Sequence, residues 1–158
     1  MTENTANCTH EIMMKRAIDE ATNAAIRGEV PIGAILIDNG TGEILSQNSN
    51  RTIEKNDPTA HAEILCIREA CEKAKSQRIP NTTLYVTLEP CTMCAAAIAF
   101  ARIDHIVIGA NDPKGGGVLH GAKFFDSPTC HHKIKITDDI LEQDCSSILK
   151  NFFKERRK

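Results

Sequence analysis

The chain has 158 residues, a length that suits a single domain with a genuine hydrophobic core. Its 41% hydrophobic and 25% charged residues are ordinary for a soluble globular protein, and no apolar stretch is long enough to cross a bilayer. The net charge of −2 argues against bulk attraction to nucleic acid, although it does not exclude a local basic patch.

Helical periodicity and buried apolar runs divide the chain into alternating helices and strands. The predicted helices are residues 10–27, 61–75, 91–102 and a final helix capped by Asp138 or Asp139. The predicted strands are residues 32–37, 43–47, 83–88, 105–109 and 133–137. This order indicates one domain over residues 1–158, a three-layer α/β/α sandwich around a central mixed five-stranded sheet, with residues 1–9 frayed.

The cysteines and the N-terminus bear on where the protein works. There are seven cysteines, and the polar first ten residues lack the apolar core of a signal peptide. An odd number of cysteines without such a signal indicates reduced thiols, so a cytoplasmic location without a membrane partner is predicted.

Two short stretches, His61–Glu63 and Pro90–Cys94, together indicate a catalytic metal centre. A catalytic zinc usually takes three protein ligands and keeps a fourth position for water, and two Cys with one His is a known ligand set. His61, Cys91 and Cys94 are predicted to fill that set with one Zn²⁺ per subunit. Glu63, two residues beyond the histidine, is better placed to move protons than to bind metal.

The residues around these stretches predict two helix starts. Pro90 suits the first position of a helix, so Cys91 and Cys94 are expected on its first turn, where the positive helix end lowers the pKa of both thiols. Thr59 is predicted to cap the other helix and to place His61 and Glu63 near its start.

Each stretch alone has simpler explanations. A His-x-Glu is common by chance, and a Cys-x-x-Cys is also typical of a redox pair or of half a structural zinc site. A closed structural site would need a fourth ligand, and the candidates are Cys66, Cys71, Cys130, Cys145, His131 and His132. The absence of an aromatic or Gly-Pro context argues against redox, and the absence of a second ligand pair argues against structural zinc.

With these residues in view, the chain resembles the zinc-dependent nucleobase and nucleoside deaminases, whose known signature is His-x-Glu with Pro-Cys-x-x-Cys. Among them it is most similar to the bacterial tRNA-specific adenosine deaminases. The matching stretches are residues 29–34, 50–51, 57–63, 83–91, 93–95, 101–103, 112–116 and 152–157. The zinc signature is shared by the whole superfamily, whereas Asn50-Arg51 and the Phe-Phe-basic tail point to the tRNA branch.

The resemblance implies a cytidine-deaminase-like fold and hydrolytic deamination of adenosine to inosine at the wobble position of a tRNA anticodon. Zinc lowers the pKa of its water, and Glu63 moves that proton to the ring and then to the leaving ammonia. The backbone N–H of Ala62 and the carbonyl of Glu89 or Leu88 would hold the hydroxyl and amino groups.

The resemblance also implies substrate contacts. Asn50 would read the base, since an Asn pairs with an adenine edge in two directions, and Val30 would form an apolar wall. Asp112 and Lys114 occupy positions near the ribose and phosphates of the anticodon stem-loop. The residues expected to meet the flanking RNA are Phe152, Lys154, Arg156, Arg157 and Lys158. A solvated helix end is an equally good explanation of this basic tail.

The long segment over residues 110–132 is expected to be functional, and its second half departs from the family pattern after the Lys-Gly region. It contains Cys130, His131 and His132, for which a structural role is favoured over extra metal ligands because the zinc set is already complete.

Three functions remain in competition at this stage. The first is tRNA adenosine deamination by a homodimer. The small-residue helix over 91–102 is compatible with packing against its own copy, and packing on the sheet is at least as good an explanation of it. The second is deamination of a free guanine, cytosine or nucleoside. The third is a zinc-stabilised RNA-binding module without catalysis, against which Glu63 argues.

Overall fold

The structure is a computed structural model, and it describes residues 3–157. The strands are β1 (Gly33–Asp38), β2 (Ile44–Ser49), β3 (Thr82–Leu88), β4 (His105–Ala110) and β5 (Lys135–Thr137). The helices are α1 (Glu3–Ile26), α2 (Ala62–Ala74), α3 (Thr92–Ala101) and α4 (Glu142–Arg156). Among residues 3–157, no helix combines the length and the apolarity that a bilayer crossing demands.

The strands form one mixed sheet in the order β2-β1-β3-β4-β5, as predicted. Strand β1 is antiparallel to both β2 and β3, while β3, β4 and β5 are parallel to one another. Because β2 and β3 therefore run in the same direction, their carboxyl ends lie at the same edge of the sheet. The chain enters α2 after β2 and α3 after β3, so this topology brings the two helix starts to one place.

The alternation of side chains along the strands produces two cores, one on each face of the sheet. Leu36, Leu84 and Ile106 face the layer of α2 and α3, whereas Ile35, Tyr85 and Val107 face the layer of α1 and α4. Both faces are buried, which explains why the strands read as continuous apolar runs. The predicted three-layer α/β/α sandwich is confirmed.

Glycine allows both outer helices to approach the sheet closely. A Cβ atom at Gly33 would collide with the backbone carbonyl of Ala17 in α1, and one at Gly109 would collide with Cys145 in α4. Larger residues at either position would push a helix away from the sheet.

The helix starts differ from the prediction. Helix α1 begins at Glu3 rather than at residue 10, so residues 3–9 are not frayed; Met1 and Thr2 lie outside the described residues. His10, the predicted first residue, is fastened to the sheet: it hydrogen-bonds the Tyr85 hydroxyl at 2.9 Å and packs against His105. Helix α4 begins later than predicted, at Glu142, after the left-handed residues Asp139 and Leu141.

The late start of α4 has a packing cause. The segment before it stays alongside β4, because the Ile140 N–H donates to the Ile108 carbonyl at 3.2 Å. Ile140 and Leu141 pack against the α1/α4 core. Neither Asp138 nor Asp139 therefore caps the helix; the Asp138 carboxylate accepts a hydrogen bond from Asn111.

Candidate active site

The three predicted metal ligands converge at the starts of α2 and α3. His61 is the N-cap residue of α2, Cys91 is the N-cap residue of α3, and Cys94 lies in the first turn of α3. The His61 Nδ1 atom is 3.4 Å from the Cys94 sulfur and 3.7 Å from the Cys91 sulfur. All three ligand atoms lie within 4.8 Å of one another. Neither Thr59 nor Pro90 takes the predicted cap or first helical position, because the ligands themselves occupy the N-caps.

This donor set is compatible with zinc binding. Two sulfurs and one imidazole nitrogen form a known catalytic zinc set that leaves a position for water. Within residues 3–157, the only His, Cys, Asp and Glu group with metal-binding spacing is His61, Cys91 and Cys94. A closed structural site that takes its fourth ligand from another cysteine or histidine is therefore not supported.

The two thiols differ in their protonation. The hydrogen bond from Cys94 lowers the pKa of Cys91 to about 4, an effect that burial opposes and His61 reinforces. The same hydrogen bond, together with burial, raises the pKa of Cys94. The sequence analysis expects the positive helix end to lower the pKa of both thiols, but here the pKa falls at Cys91 and rises at Cys94. A coordinating thiol is deprotonated, so metal binding at this pair releases a proton.

Glu63 has the properties of a buried acid–base group. Its side chain is 3% exposed, and its Oε1 atom is one of two buried side-chain oxygens in the described part of the chain with no hydrogen-bond partner. Burial raises the pKa of Glu63, while the nearby His61 opposes that shift. A buried carboxyl oxygen without a protein partner is costly unless a substrate or water meets it.

Asn50 is buried at the end of β2 and is linked to the metal helix. Its Oδ1 atom accepts the Ala62 N–H at 2.9 Å, which leaves the Nδ2 donor for another partner. The two-directional pairing predicted for Asn50 is thus reduced to one free donor. The Ala62 N–H, predicted to hold the substrate hydroxyl, already has a partner and must share its hydrogen.

A buried carboxylate that the sequence analysis did not single out organises the segment after β2. Glu29 is 1% exposed and accepts the N–H groups of Ile53 at 3.0 Å and Glu54 at 2.9 Å, with a longer contact from the Thr52 hydroxyl. We call residues 50–60, which lead from Asn50 to His61, the first segment. Glu29 belongs to a stretch that carried the family resemblance, but its partners lie more than twenty residues away in sequence.

Glu89 organises residues 112–120, which we call the second segment, as Glu29 organises the first segment. Its side chain is fully buried, and Oε2 accepts the N–H groups of Val118, Leu119 and His120 at 3.2, 2.9 and 3.1 Å. Oε1 accepts the Asp112 N–H at 3.1 Å and contacts His120 Nδ1 at 2.7 Å. Burial alone would raise the pKa of Glu89, but these hydrogen bonds outweigh it and lower that pKa. The Glu89 carbonyl accepts no hydrogen bond in the described chain.

Asp112 and Lys114 lie beside α4 rather than directly over the metal ligands. The Asp112 carboxylate accepts the N–H groups of Lys114 and Gly115, which tightens the turn. A groove of about 560 Å³ separates this turn from α4. It is lined by Asp112, Lys114, Leu149, Lys150, Phe153, Lys154 and Arg157. The structure thus brings four of the predicted RNA contacts together and adds Phe153 and Lys150.

Phe152 and Arg156, which the sequence analysis expects to meet flanking RNA, do not line this groove. Phe152 is 9% exposed, and the Arg156 guanidinium stacks 4.2 Å from the centre of its ring. Arg156 also donates to the Gly28 carbonyl at 2.9 Å, so both side chains fasten α4 to the end of α1. Phe153, 43% exposed, is the aromatic residue on the groove side. Lys158 lies outside the described residues.

The remaining predicted residues are placed as follows. Val30 is half-buried in the turn that joins α1 to β1, directly after Glu29. Cys130 donates to the His132 carbonyl, and His132 hydrogen-bonds the Ile103 carbonyl at 2.6 Å. These contacts are structural, as favoured for this cluster.

Comparison with known proteins agrees with this geometry. A sequence model of the MafB19-like deaminase family matches residues 8–157. A tRNA-specific adenosine deaminase of Agrobacterium fabrum is 51% identical over 152 residues, which cover 96% of this chain and 97% of the relative. The enzyme of the same description from Bacillus subtilis is 43% identical over 148 residues, covering 94% and 91%.

Solved structures give the same result. One from a study of A-to-I editing by tRNA:A34 deaminases superposes with a TM-score of 0.84 at 52% identity, covering 87% of this chain and 98% of that one. A guanine deaminase from Nitrosomonas europaea shares the fold, with a TM-score of 0.78 at 18% identity over 90% of this chain and 83% of that one. The chain belongs to the tRNA-specific adenosine deaminases, a family of hydrolytic deaminases.

Proposed function

We propose that this protein hydrolyses adenosine to inosine at the wobble position of a tRNA anticodon, with one Zn²⁺ per subunit held by His61, Cys91 and Cys94. The observation that carries the proposal is the buried, unpartnered Glu63 oxygen beside a complete His-Cys-Cys ligand set. Close relatives over nearly the whole chain are named tRNA-specific adenosine deaminases, which supports the substrate.

Glu63 is the acid–base group of the reaction. When bound at such a site, zinc lowers the pKa of water so that a hydroxide nucleophile forms at neutral pH. The Glu63 carboxylate takes the proton released by the attacking water and delivers it to N1 of the adenine ring as C6 is attacked. It then carries a second proton to the departing amino group, so adenosine and water become inosine and ammonia.

The base pocket supplies hydrogen bonds of complementary type. Asn50 offers its free Nδ2 donor to a ring acceptor of adenine, while its Oδ1 is held by Ala62. The unoccupied Glu89 carbonyl is suited to accept from the exocyclic amino group. Val30 supplies apolar surface at the side of the pocket.

Binding of the anticodon loop would use the groove between the second segment and α4. Lys114, Lys154 and Arg157 provide positive charge for phosphates there, and Lys150 adds to it. Phe153 offers a face on which a splayed base can stack. A net charge of −2 is compatible with this, because four positive side chains lie together along this groove.

The outer face of α3 supports a homodimer. Ala95, Ile98 and Ala101 pack into the core, as expected for packing on the sheet. On the opposite side, half-buried Met93, Ala96 and Ala97 lead to Phe100, which is 71% exposed, and these positions form one helical stripe. Replacing Phe100 by Asp should shift sedimentation from dimer to monomer; a parent protein that sediments as a monomer would contradict this part. We also propose a cytoplasmic location, where the seven cysteines, none of which forms a disulfide, stay reduced and tRNA is present.

The deciding experiment compares an anticodon stem-loop bearing a wobble adenosine with free adenosine, guanine, cytosine and cytidine. We expect inosine only in the hairpin. Turnover of a free base instead would keep the metal chemistry and reject the tRNA substrate.

Glu63→Ala provides the mechanistic control. Because its carboxylate moves both protons, the substitution should lower turnover by at least about a hundredfold. Metal analysis should still find one zinc per chain, since Glu63 is not a ligand. Parent-like turnover in this variant would refute the assigned role and favour an RNA-binding protein without catalysis.

A further inference from the structure

The second segment is folded around a single carboxylate. Three of the hydrogen bonds to Glu89 come from consecutive backbone amides at residues 118–120 and end on Oε2. The other two, from the Asp112 amide and from His120 Nδ1, end on Oε1. The first and last residues of the segment therefore meet on the same oxygen atom, which closes the segment into a ring.

This ring rests directly on the metal-binding helix. Glu89 precedes the ligand Cys91 by two residues, and the Gly117 N–H donates to the Pro90 carbonyl at 2.8 Å. A Cβ atom at Gly116 would collide with the Glu89 carboxylate, and one at Gly117 would press on the Thr92 backbone. These contacts therefore fix the position of the segment relative to the start of α3, where two of the three predicted ligands lie.

Of the five donors to Glu89, only His120 uses a side chain. Any residue except proline can supply the backbone amides, but the 2.7 Å contact to Oε1 depends on the imidazole. His120 is half-exposed and lies outside the metal cluster. It belongs to the part of the chain that departs from the family pattern.

We propose that His120 is a positioning residue for RNA binding, which closes the second segment on Glu89 and thereby fixes Asp112 and Lys114 at the α4 groove. This inference rests on the proposed function. It separates two tasks at one site: Glu63 and the metal ligands perform the reaction, while His120 sets the geometry with which flanking nucleotides are bound. Loss of the imidazole should therefore weaken substrate binding more than the chemical step.

Two substitutions at His120 and one control test the proposal. His120→Ala removes the Nδ1 donor, whereas His120→Asn keeps a side-chain donor at nearly the same place. His131→Ala removes an exposed histidine from the same long loop and serves as the matched control. All three are assayed with the wobble-adenosine hairpin, and zinc content is measured for each.

We expect His120→Ala to raise KM for the hairpin about tenfold, the change that loss of one hydrogen bond to a charged group typically produces. Its kcat should stay within about twofold of the parent, because the proton-transfer group is untouched. His120→Asn should recover most of the affinity, and His131→Ala should match the parent. A fall in kcat at constant KM, or no change in either constant, would overturn the proposal.

Amide hydrogen exchange gives a readout that does not depend on activity. In His120→Ala, the amides of Asp112, Val118 and Leu119 should exchange faster, while those of the first segment remain unchanged. Unchanged protection of the second segment would also reject the inference. If the parent protein fails to deaminate the hairpin, the proposed function is wrong, yet the exchange experiment still decides whether His120 closes the segment.

Discussion

The two segments that border the site are both folded around a buried glutamate, but the glutamates come from different parts of the protein. Glu29, which holds the first segment, follows α1 and accepts three hydrogen bonds. Glu89, which holds the second segment, lies beside the metal-binding helix and accepts five. The first segment is therefore fastened to the outer helices as well as to the start of α2, whereas the second is fastened to the start of α3.

The contacts of α1 and α4 extend this difference. Arg27, at the end of α1, donates to the Ser49 hydroxyl and to the Asn50 carbonyl at the start of the first segment. Arg156 of α4 holds the Gly28 carbonyl, directly before Glu29. The opposite side of α4, which carries Phe153, faces the second segment across the groove. Helix α4 thus supports the first segment through one side, and its other side lines the groove together with the second segment.

Substitution of the two adjacent phenylalanines of α4 tests most strongly whether the two sides of this helix have different roles. Phe152→Ala should lower the free energy of unfolding by about 3–4 kcal/mol, because a buried aromatic side chain leaves a cavity between α4 and α1. Phe153→Ala should change it by less than about 0.5 kcal/mol but raise KM for the hairpin several-fold, since a stacking face is lost. Urea unfolding and hairpin kinetics measure both. Equal destabilisation by the two substitutions would remove the distinction between the faces.

Glutamine at the two buried glutamates should give the next largest effects. Each substitution points an amide NH₂ at backbone N–H donors, so we expect a loss of about 3 kcal/mol for Glu89→Gln and roughly 2 kcal/mol for Glu29→Gln. Hydrogen exchange should rise in the second segment for the former and in the first segment for the latter. Exchange that rises in both segments with either variant would show that they are coupled after all.

The smallest expected effect concerns His105, at the opposite end of the sheet. It tests whether that end is independent of the two segments. Burial, with the charges of Lys135 and His10, lowers the pKa of His105 from 6.5 to about 4 in the folded protein. Between pH 6.5 and about pH 4, His105 is protonated in the unfolded chain but largely neutral in the folded protein. The free energy of unfolding therefore falls as the pH decreases through this window.

His105→Gln removes that contribution, so the stability of the parent relative to the variant should decline between about pH 7 and about pH 5. Urea titrations at both pH values measure the difference. Hydrogen exchange in the two segments should be the same in variant and parent at neutral pH. A difference between the proteins that is independent of pH would reject the titration of His105 as its cause.

The pairing of Cys91 with Cys94 could be predicted because a Cys-x-x-Cys after a strand defines its own helix turn. His61 joins them only because β2 and β3 run in the same direction, so that α2 and α3 begin at the same edge of the sheet. It misplaced the caps because Thr59 and Pro90 are good capping residues in isolation, whereas His61 and Cys91 take the N-cap positions in the folded chain. The alternation of strands and helices was sufficient for the three-layer architecture.

The sequence did not separate Phe152 from Phe153, because successive residues on a helix point about 100° apart and only the docking of α4 decides which is buried. The role of Glu29 could likewise not be predicted from the sequence. Its amide partners at residues 53 and 54 carry no side-chain signal, and they meet Glu29 only after β1 and β2 have paired.

The attachment of the second segment has a consequence for how such an enzyme changes over evolutionary time. Four of its five anchoring groups are backbone amides, which every residue except proline provides. Amino-acid changes at positions other than Gly116 and Gly117, where a Cβ atom would collide with Glu89 or Thr92, can therefore leave these hydrogen bonds in place. On the proposed function, the side chains that this segment presents to RNA can change, by natural drift or by an engineer exchanging loops, while Glu63 and the predicted metal ligands stay the same. Substrate range can then change more freely than reaction type.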